Sequence, residues 1–178
     1  MKKTILLLTL SVFVFWACSE NTNITSPEKS KTEQLLKFKS DSNSSLFKTA
    51  IIQSINGETG GAIEINIESP DGEFAVVGEI VFPENSFVGT EEISISVAGN
   101  LAALDFEPSL VFQTPVSLNL LLRGVDVSDN DNVSFQYIEN NGNLSSIEYS
   151  SVSSSSTEGE VVVEEAQLNH FSRYGFTR

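Results

Sequence analysis

The stretch "AIEINIE", residues 62–68, shows most clearly the alternation that predicts the fold. Isoleucine occupies every second position in it, and the residues between the isoleucines are glutamate or asparagine. Successive side chains of a β-strand point to opposite faces, so this period of two predicts a strand with one face on a core and the other in water. The same alternation recurs at residues 92–97, 116–122, 133–137 and 161–163, and aromatic residues close the series at the end of the chain.

Turn-forming residues separate these stretches. They are Asn56-Gly57, Gly60-Gly61, Pro70-Asp71-Gly72, Pro83-Glu84-Asn85, Gly99-Asn100, the run 129–132 and Asn140-Asn141-Gly142. After Ala50 no stretch shows a sustained helical period of 3.6 residues. Many short strands without helices predict an all-β fold, either an antiparallel sandwich or a barrel. Residues 46–178 are enough for one core, so we expect a single domain there.

Two local expectations follow from the turn signals. The turn at residues 140–142 predicts a hairpin in which Val133–Glu139 pairs with Asn143–Tyr149. The serine-rich run Ser150–Thr157 is predicted to be a surface loop, because strands avoid such a run and loops accept it.

Charge divides the chain into two parts. All seven lysines lie at or before Lys48, whereas residues 49–178 hold three arginines and twenty acidic residues, a net charge of −17. A domain this acidic repels phosphate groups, so we expect no nucleic-acid partner. The same charge should keep the body away from anionic lipid headgroups, and it also favours solubility.

The first residues have the layout of an exported protein. Lys2 and Lys3 precede an apolar run, residues 5–16, and small residues follow at Ala17 and Cys18. The run is too short for a stable transmembrane helix, which predicts a signal peptide over residues 1–17. The stretch Phe15-Trp16-Ala17-Cys18 resembles the lipobox of bacterial lipoproteins. That resemblance implies cleavage before Cys18, a diacylglyceryl group on its sulfur and an acyl chain such as palmitate on its new amine.

Cys18 is the only cysteine, so it is the predicted site of lipid attachment and no internal disulfide can form. No later apolar run is long enough to span a bilayer. The residue after it, Ser19, is not an aspartate, which implies delivery to the outer membrane in double-membraned bacteria. Residues 18–45 are predicted to be a flexible tether because they are rich in polar residues. Leu35, Leu36 and Phe38 should form at most a short helical turn in it.

Several spaced features resemble the ZU-five-type sandwich domain of ankyrins and netrin receptors, in a bacterial lipoprotein form. They are Gly60-Gly61 before a strand, Val81-Phe82-Pro83 after one, Phe106-Glu107-Pro108 followed by Phe112-Gln113-Thr114-Pro115, and His170-Phe171-Ser172 with Tyr174. The resemblance covers about residue 55 to the end of the chain and implies a β-sandwich. A tryptophan expected between residues 144 and 160 is missing.

His170 is the only histidine, and it lies two positions from Ser172. In some animal relatives of the ZU-five type the phenylalanine–serine bond of this motif cleaves itself, with the serine as nucleophile, and the histidine would act as general base. The resemblance therefore implies self-cleavage between Phe171 and Ser172 as the alternative. We expect a structural role instead. A last strand, Asn169–Phe176, should place Phe171 on one face and His170, Ser172 and Tyr174 side by side on the other.

The run 126–132 offers one candidate metal site. Asp126, Asp129 and Asp131 could supply oxygen ligands to Ca²⁺, but their spacing lacks the glycine and the distal glutamate of an EF-hand loop. A solvated turn is the expected alternative, so we predict no metal, no cofactor and no enzyme activity. The expected function is a non-catalytic binding or structural role in the cell envelope, with an envelope or extracellular protein or a glycan as partner. A Ca²⁺-stabilised adhesion module is a further alternative.

Overall fold

The computed structural model describes residues 34–39, 50–70 and 72–178. The predicted signal peptide, Cys18 and most of the predicted tether lie outside these ranges. The described residues form eleven strands and no helix. The strands are β1 (Ala50–Asn56), β2 (Gly61–Glu68), β3 (Ala75–Phe82), β4 (Thr90–Val97), β5 (Ala103–Glu107), β6 (Val111–Arg123), β7 (Ser134–Ile138), β8 (Leu144–Ser146), β9 (Ser151–Ser155), β10 (Glu160–His170) and β11 (Arg173–Thr177). Within this part of the chain there is accordingly no helix long and apolar enough to cross a membrane.

The strands form two sheets that pack against each other. The six-stranded sheet has the order β1-β4-β5-β11-β7-β8, and the five-stranded sheet has the order β2-β3-β6-β10-β9. Neighbouring strands pair antiparallel throughout. Inward side chains of both sheets belong to one hydrophobic core. The predicted antiparallel β-sandwich is therefore confirmed.

The core follows the alternation of the sequence. Ile63, Ile65 and Ile67 of β2 are at most 1% exposed, whereas the residues between them are exposed. Ile93 and Ile95 of β4, in the six-stranded sheet, belong to the same core and are fully buried. Full burial of one such side chain is worth about 1.5–3 kcal/mol relative to exposure. A shift of one residue in any of these strands would expose its whole apolar set, so the pattern also sets the register.

The predicted hairpin around residues 140–142 is confirmed. β7 pairs with β8, and Ile138 lies opposite Leu144. The second strand is shorter than predicted, since β8 ends at Ser146. Asn141 accepts a hydrogen bond from the backbone N–H of Asn143 at 2.8 Å, which is the local turn chemistry that such residues supply.

The loop prediction for Ser150–Thr157 is wrong. Ser151–Ser155 form β9, the edge strand beside β10. An edge strand needs only one neighbouring strand, and its few apolar contacts are supplied here by Val152, which packs on the core. Ser151 donates a side-chain hydrogen bond to Glu164 at 2.7 Å, so a hydroxyl-rich strand still gains contacts with β10.

The tether prediction does not hold for residues 34–39, which we call the docked segment. Leu36 is fully buried and Phe38 is 5% exposed, and the ring of Phe38 stacks on Phe74 with 4.5 Å between ring centroids. The segment lies where β5 and β11 diverge: Leu36 donates its backbone N–H to the Phe176 carbonyl and accepts one from Ala102, each at 2.9 Å. Seven backbone hydrogen bonds in all join the segment to the sandwich. Two apolar residues at alternate positions fill this gap, so a strand-like path is favoured over a helical turn.

The connections fall at two ends of the sandwich. At the first end, backbone hydrogen bonds join the β1–β2 turn to residue 89, residue 86 to residue 113, and residue 110 to Phe171. We call it the corner end, because the chain passes from β10 to β11 there. At the second end, such bonds join the docked segment to Arg178, Asn100 and Gly124, and Val125 to Gly159. We call it the C-terminal end.

Candidate functional site

The predicted last strand is two strands in different sheets. β10 ends at His170, which pairs with Val111 of β6 in the five-stranded sheet. β11 begins at Arg173 and pairs with β5 and β7 in the six-stranded sheet. Phe171 and Ser172 carry the chain between the sheets, so the prediction of one continuous strand from Asn169 to Phe176 is wrong. A change of sheet between two strands that both alternate regularly leaves little trace in the sequence pattern.

Phe171 anchors this corner in the core. Its side chain is 1% exposed, which agrees with the expected inward position. Its ring centroid lies 5.9 Å from that of Phe82, 5.2 Å from that of Phe106 and 4.8 Å from that of Phe112. These three rings come from β3, β5 and β6, so one side chain joins both sheets where the chain crosses between them. Aromatic pairs at such distances add about 0.5–1.5 kcal/mol each to the area that they bury.

Tyr174 closes the corner by a hydrogen bond across it. Its hydroxyl donates to the backbone carbonyl of His170 at 2.7 Å and lies 3.4 Å from the His170 Nδ1 atom. The arrangement is that of the tyrosine corner found in other β-sandwiches. Burial raises the pKa of the Tyr174 hydroxyl far above its usual value, the nearby Tyr137 raises it further, and the hydrogen bond to His170 offsets only part of the rise. The hydroxyl is therefore protonated and able to donate across the accessible pH range.

The structure separates His170 from Ser172. The imidazole packs edge-on against Tyr137, with 4.5 Å between ring centroids, and tilts against Tyr174 at 5.9 Å. Ser172 lies on the other side of the corner, where its carbonyl accepts the backbone N–H of Phe106 at 2.9 Å. Within the described residues no hydrogen bond joins His170 to Ser172, so the prediction that they lie side by side on one face is wrong. A general base must come within hydrogen-bond reach of its nucleophile.

The backbone φ angles of the corner residues lie in the usual negative range. Among the described residues other than glycine, positive φ occurs at Asn85 and Glu165 and not at Phe171 or Ser172. Self-cleavage of the ZU-five kind would be promoted by strain in the bond that breaks. Neither Phe171 nor Ser172 therefore has the strain that a positive φ would impose.

The three candidate calcium ligands lie at the C-terminal end and make other contacts. Asp131 accepts hydrogen bonds from the Ser128 N–H at 2.8 Å and from Arg178 at 3.2 Å, and Arg178 also lies 3.9 Å from a carboxylate oxygen of Asp126. Asp129 accepts a hydrogen bond from the hydroxyl of Ser156. Partial burial would raise the pKa of Asp131, but the bonds from Ser128 and Arg178 outweigh it and lower that pKa. Across the described ranges no three potential ligands come close enough to hold a metal ion.

A cleft of about 650 Å³ lies beside the corner, on the outer face of the six-stranded sheet. It exists because β11 begins at Arg173, level with Asp105 of β5 and Ile138 of β7, while both neighbouring strands or their loops continue beyond that level. Before Arg173 the chain passes at Ser172 into the other sheet. No strand therefore lies between β5 and β7 beyond this point, and the gap is a notch. The cleft is lined by Leu35, Asp105, Phe106, Glu107, Ser109, Ile138, Glu139, Asn140, Gly142, Phe171, Ser172 and Arg173.

The charged groups of the cleft differ in how they are paired. Asp105 and Arg173 form a two-point ion pair, with nitrogen–oxygen distances of 2.6 and 3.0 Å, and this hydrogen bonding raises the pKa of the guanidinium. Hydrogen bonds from Ser145 and Asn141 lower the pKa of Glu139. Within the described part of the chain, no hydrogen bond or ion pair engages the exposed carboxylate of Glu107. The cleft is lined by the carboxylates of Asp105, Glu107 and Glu139 and by the guanidinium of Arg173, so it carries an excess of negative charge.

The cleft could not have been found from the sequence. Its walls come from Leu35 and from residues 105–109, 138–142 and 171–173. These stretches contain a turn signal and parts of the ZU-five-like motifs, but nothing in the sequence indicates that they meet. Comparison with known proteins adds no assignment, since no family model, no curated protein and no solved structure matches the chain. The likeness to the ZU-five type and to lipoproteins therefore rests on the residues quoted above.

Proposed function

We propose that the protein is a lipid-anchored lipoprotein of the bacterial cell envelope and that its sandwich is a non-catalytic binding module. A lipid on Cys18, the sole cysteine, would hold the chain to the membrane, and the outer membrane is the proposed location because Ser19 follows. The body is acidic and would stand off anionic headgroups. The partner would be an envelope or extracellular protein or a glycan, and no nucleic acid.

The observation that carries this proposal is the position of the docked segment. Its first residue, Gln34, exchanges two backbone hydrogen bonds of 2.9 Å with Arg178, so the chain from Cys18 arrives at the C-terminal end. The corner end lies at the opposite side of the sandwich, and the cleft extends from it along the outer face as far as Leu35. An anchor at one end and a cleft toward the other is the arrangement of a module that presents a surface away from its membrane.

The length of the connection supports the same arrangement. Residues 18–33 separate the lipid from the docked segment, so the tether is shorter than the predicted range of 18–45. As a flexible chain these residues would span about 20–25 Å on average, and about 55 Å when fully extended. Lys37 and Lys39 of the docked segment are exposed at the C-terminal end, whereas Arg178 is paired there with Asp131.

A non-catalytic role fits the corner better than self-cleavage does. Self-cleavage at Phe171-Ser172 needs a base on the serine hydroxyl, and the His170 ring packs on two tyrosines instead. The His-Phe-Ser-x-Tyr motif has a complete structural explanation. His170 ends one strand, Phe171 fills the core, Ser172 turns the chain and Tyr174 ties the corner together.

The anchor and the orientation can be tested in one experiment. A fluorophore is placed on Asn130→Cys at the C-terminal end or on Val88→Cys, 75% exposed at the corner end, in protein bound to vesicles with a headgroup-attached quencher. We expect stronger quenching at position 130, because energy transfer falls steeply with distance. Equal quenching or stronger quenching at position 88 would refute the orientation. Failure of the full chain to bind membranes, with Cys18→Ala behaving as wild type, would refute the anchor.

A further inference from the structure

We infer that the cleft is a docking site for a cationic side chain, lysine or arginine, of a partner polypeptide. The inference rests on the proposed function, since it names the chemistry that the binding module would recognise. Three properties of the cleft support it: its shape, the state of its charges and the apolar groups along one side.

The shape is that of a notch open to solvent. Its volume of about 650 Å³ falls within the range of ligand sites, which is roughly 300–1,000 Å³. One wall is the end of β5 with Glu107 and Ser109, and the other is the hairpin tip with Glu139 and Gly142. Ser172 lies between the two walls. The notch is large enough for one long side chain together with the backbone of the extended chain that carries it.

The charges select a cation. The guanidinium of Arg173 is already matched by Asp105 in a two-point pair, so it is poorly placed to attract an anion. Glu139 is held ionised by its hydrogen bonds, and Glu107 extends from β5 without an intramolecular partner among the described residues. The excess of two negative charges is thus spread over both walls. A cation in the cleft would be attracted by carboxylates on both walls, and a carboxylate ligand would be repelled.

The apolar groups suit the stem of such a side chain. Leu35 of the docked segment, opposite Thr177, and Ile138 of β7, opposite Arg173, line the cleft and belong to a small apolar cluster on the outer face. Lysine and arginine bury their methylene stems on apolar surface while the charged head stays among polar groups. The cleft offers these two surfaces next to each other, which a purely acidic patch would not do.

The test measures the binding of hexalysine to the full chain in detergent micelles at physiological salt. Hexaglutamate, a peptide of opposite charge, is the control. Because the whole body is acidic, a general attraction has to be separated from binding in the cleft. Glu107→Gln removes one charge from the cleft, and Glu64→Gln removes one from an exposed position of β2 on the other sheet. We expect Glu107→Gln to weaken hexalysine binding by about three- to fivefold and Glu64→Gln by less than about 1.5-fold.

A second variant blocks the cleft without changing charge. Ser109 is exposed on its rim, and in Ser109→Trp the indole would occupy the space between the walls. We expect this variant to lower the affinity by about tenfold or more, with an unchanged circular dichroism spectrum. Equal weakening by both glutamine variants, full binding by Ser109→Trp or no saturable binding of hexalysine would each overturn the inference. Membrane association of the same variants is measured in parallel, so loss of the anchor is recognised separately.

Discussion

Leu36→Ala tests most sharply whether the docked segment is part of the fold. Leu36 is fully buried between the ends of β5 and β11, and the variant removes three carbon atoms from that position. At about 0.8 kcal/mol for each buried methylene, the transfer loss is about 2.4 kcal/mol, and the remaining cavity adds to it. We therefore expect the free energy of unfolding of the full chain to fall by about 3 kcal/mol in urea titrations. Lys37→Ala, at the exposed neighbouring position, should change it by less than about 0.5 kcal/mol.

The fall in the free energy of unfolding caused by Leu36→Ala cannot exceed the free energy with which the docked segment binds to the rest of the sandwich. If docking is worth less than about 3 kcal/mol, the variant releases the segment and leaves the rest of the sandwich folded. Amide hydrogen exchange separates the two outcomes. The N–H groups of Phe38 and Ala102, which bond to Asn100 and Leu36, should then exchange faster, whereas the N–H of Leu120, in a strand paired on both sides, should not. If Leu36→Ala matches Lys37→Ala in both stability and exchange, the segment belongs to the tether and our description of it is refuted.

Further predictions concern the corner and the acidic loop. Phe171→Ala should lower the free energy of unfolding by about 3–5 kcal/mol in urea titrations, and a loss below about 1 kcal/mol would contradict the core position. Tyr174→Phe should cost about 1 kcal/mol through the lost hydrogen bond to His170, whereas Ser172→Ala should cost about 0.5 kcal/mol or less; the reverse order would refute the assigned roles. Asp131→Asn should cost about 1 kcal/mol at neutral pH, because the carboxylate accepts bonds from Ser128 and Arg178. Its folded-state pKa is lowered from 3.8, so the wild-type advantage should be complete well above that value and shrink as pH falls through and below it. An advantage that persists unchanged at the lowest pH would contradict this.

Local alternation was enough to predict most of the sandwich. In β2 and β4, and in β6 from Val116 to Leu122, the alternating apolar residues are buried. In β7 the structure buries Phe135 but leaves Tyr137 half-buried. The prediction failed where other contacts outweighed composition. Ser151–Ser155 form a strand because β10 offers an edge to pair with. The docked segment is ordered because two apolar residues meet a gap between strands far away in the sequence.

The candidate site depends on non-local geometry to a greater extent. The sequence places His170 and Ser172 two positions apart, which puts them on one face only if the strand is continuous. The change of sheet at residues 171–172 turns the histidine toward the tyrosines and the serine toward the cleft. The cleft itself is formed by three stretches that meet only in the folded chain, so no pattern in any one of them could have predicted it.

We propose that a lipid-anchored sandwich keeps its C-terminal strand intact, and the intact mass of the protein separates this from self-cleavage. The protein is expressed from its full sequence in a bacterial host, extracted from membranes with detergent and analysed by mass spectrometry. We expect a single chain from Cys18 to Arg178 with the mass of a diacylglyceryl group and an acyl chain added at Cys18. A chain without lipid, or a species that ends at Phe171 and is absent in Ser172→Ala, would contradict it.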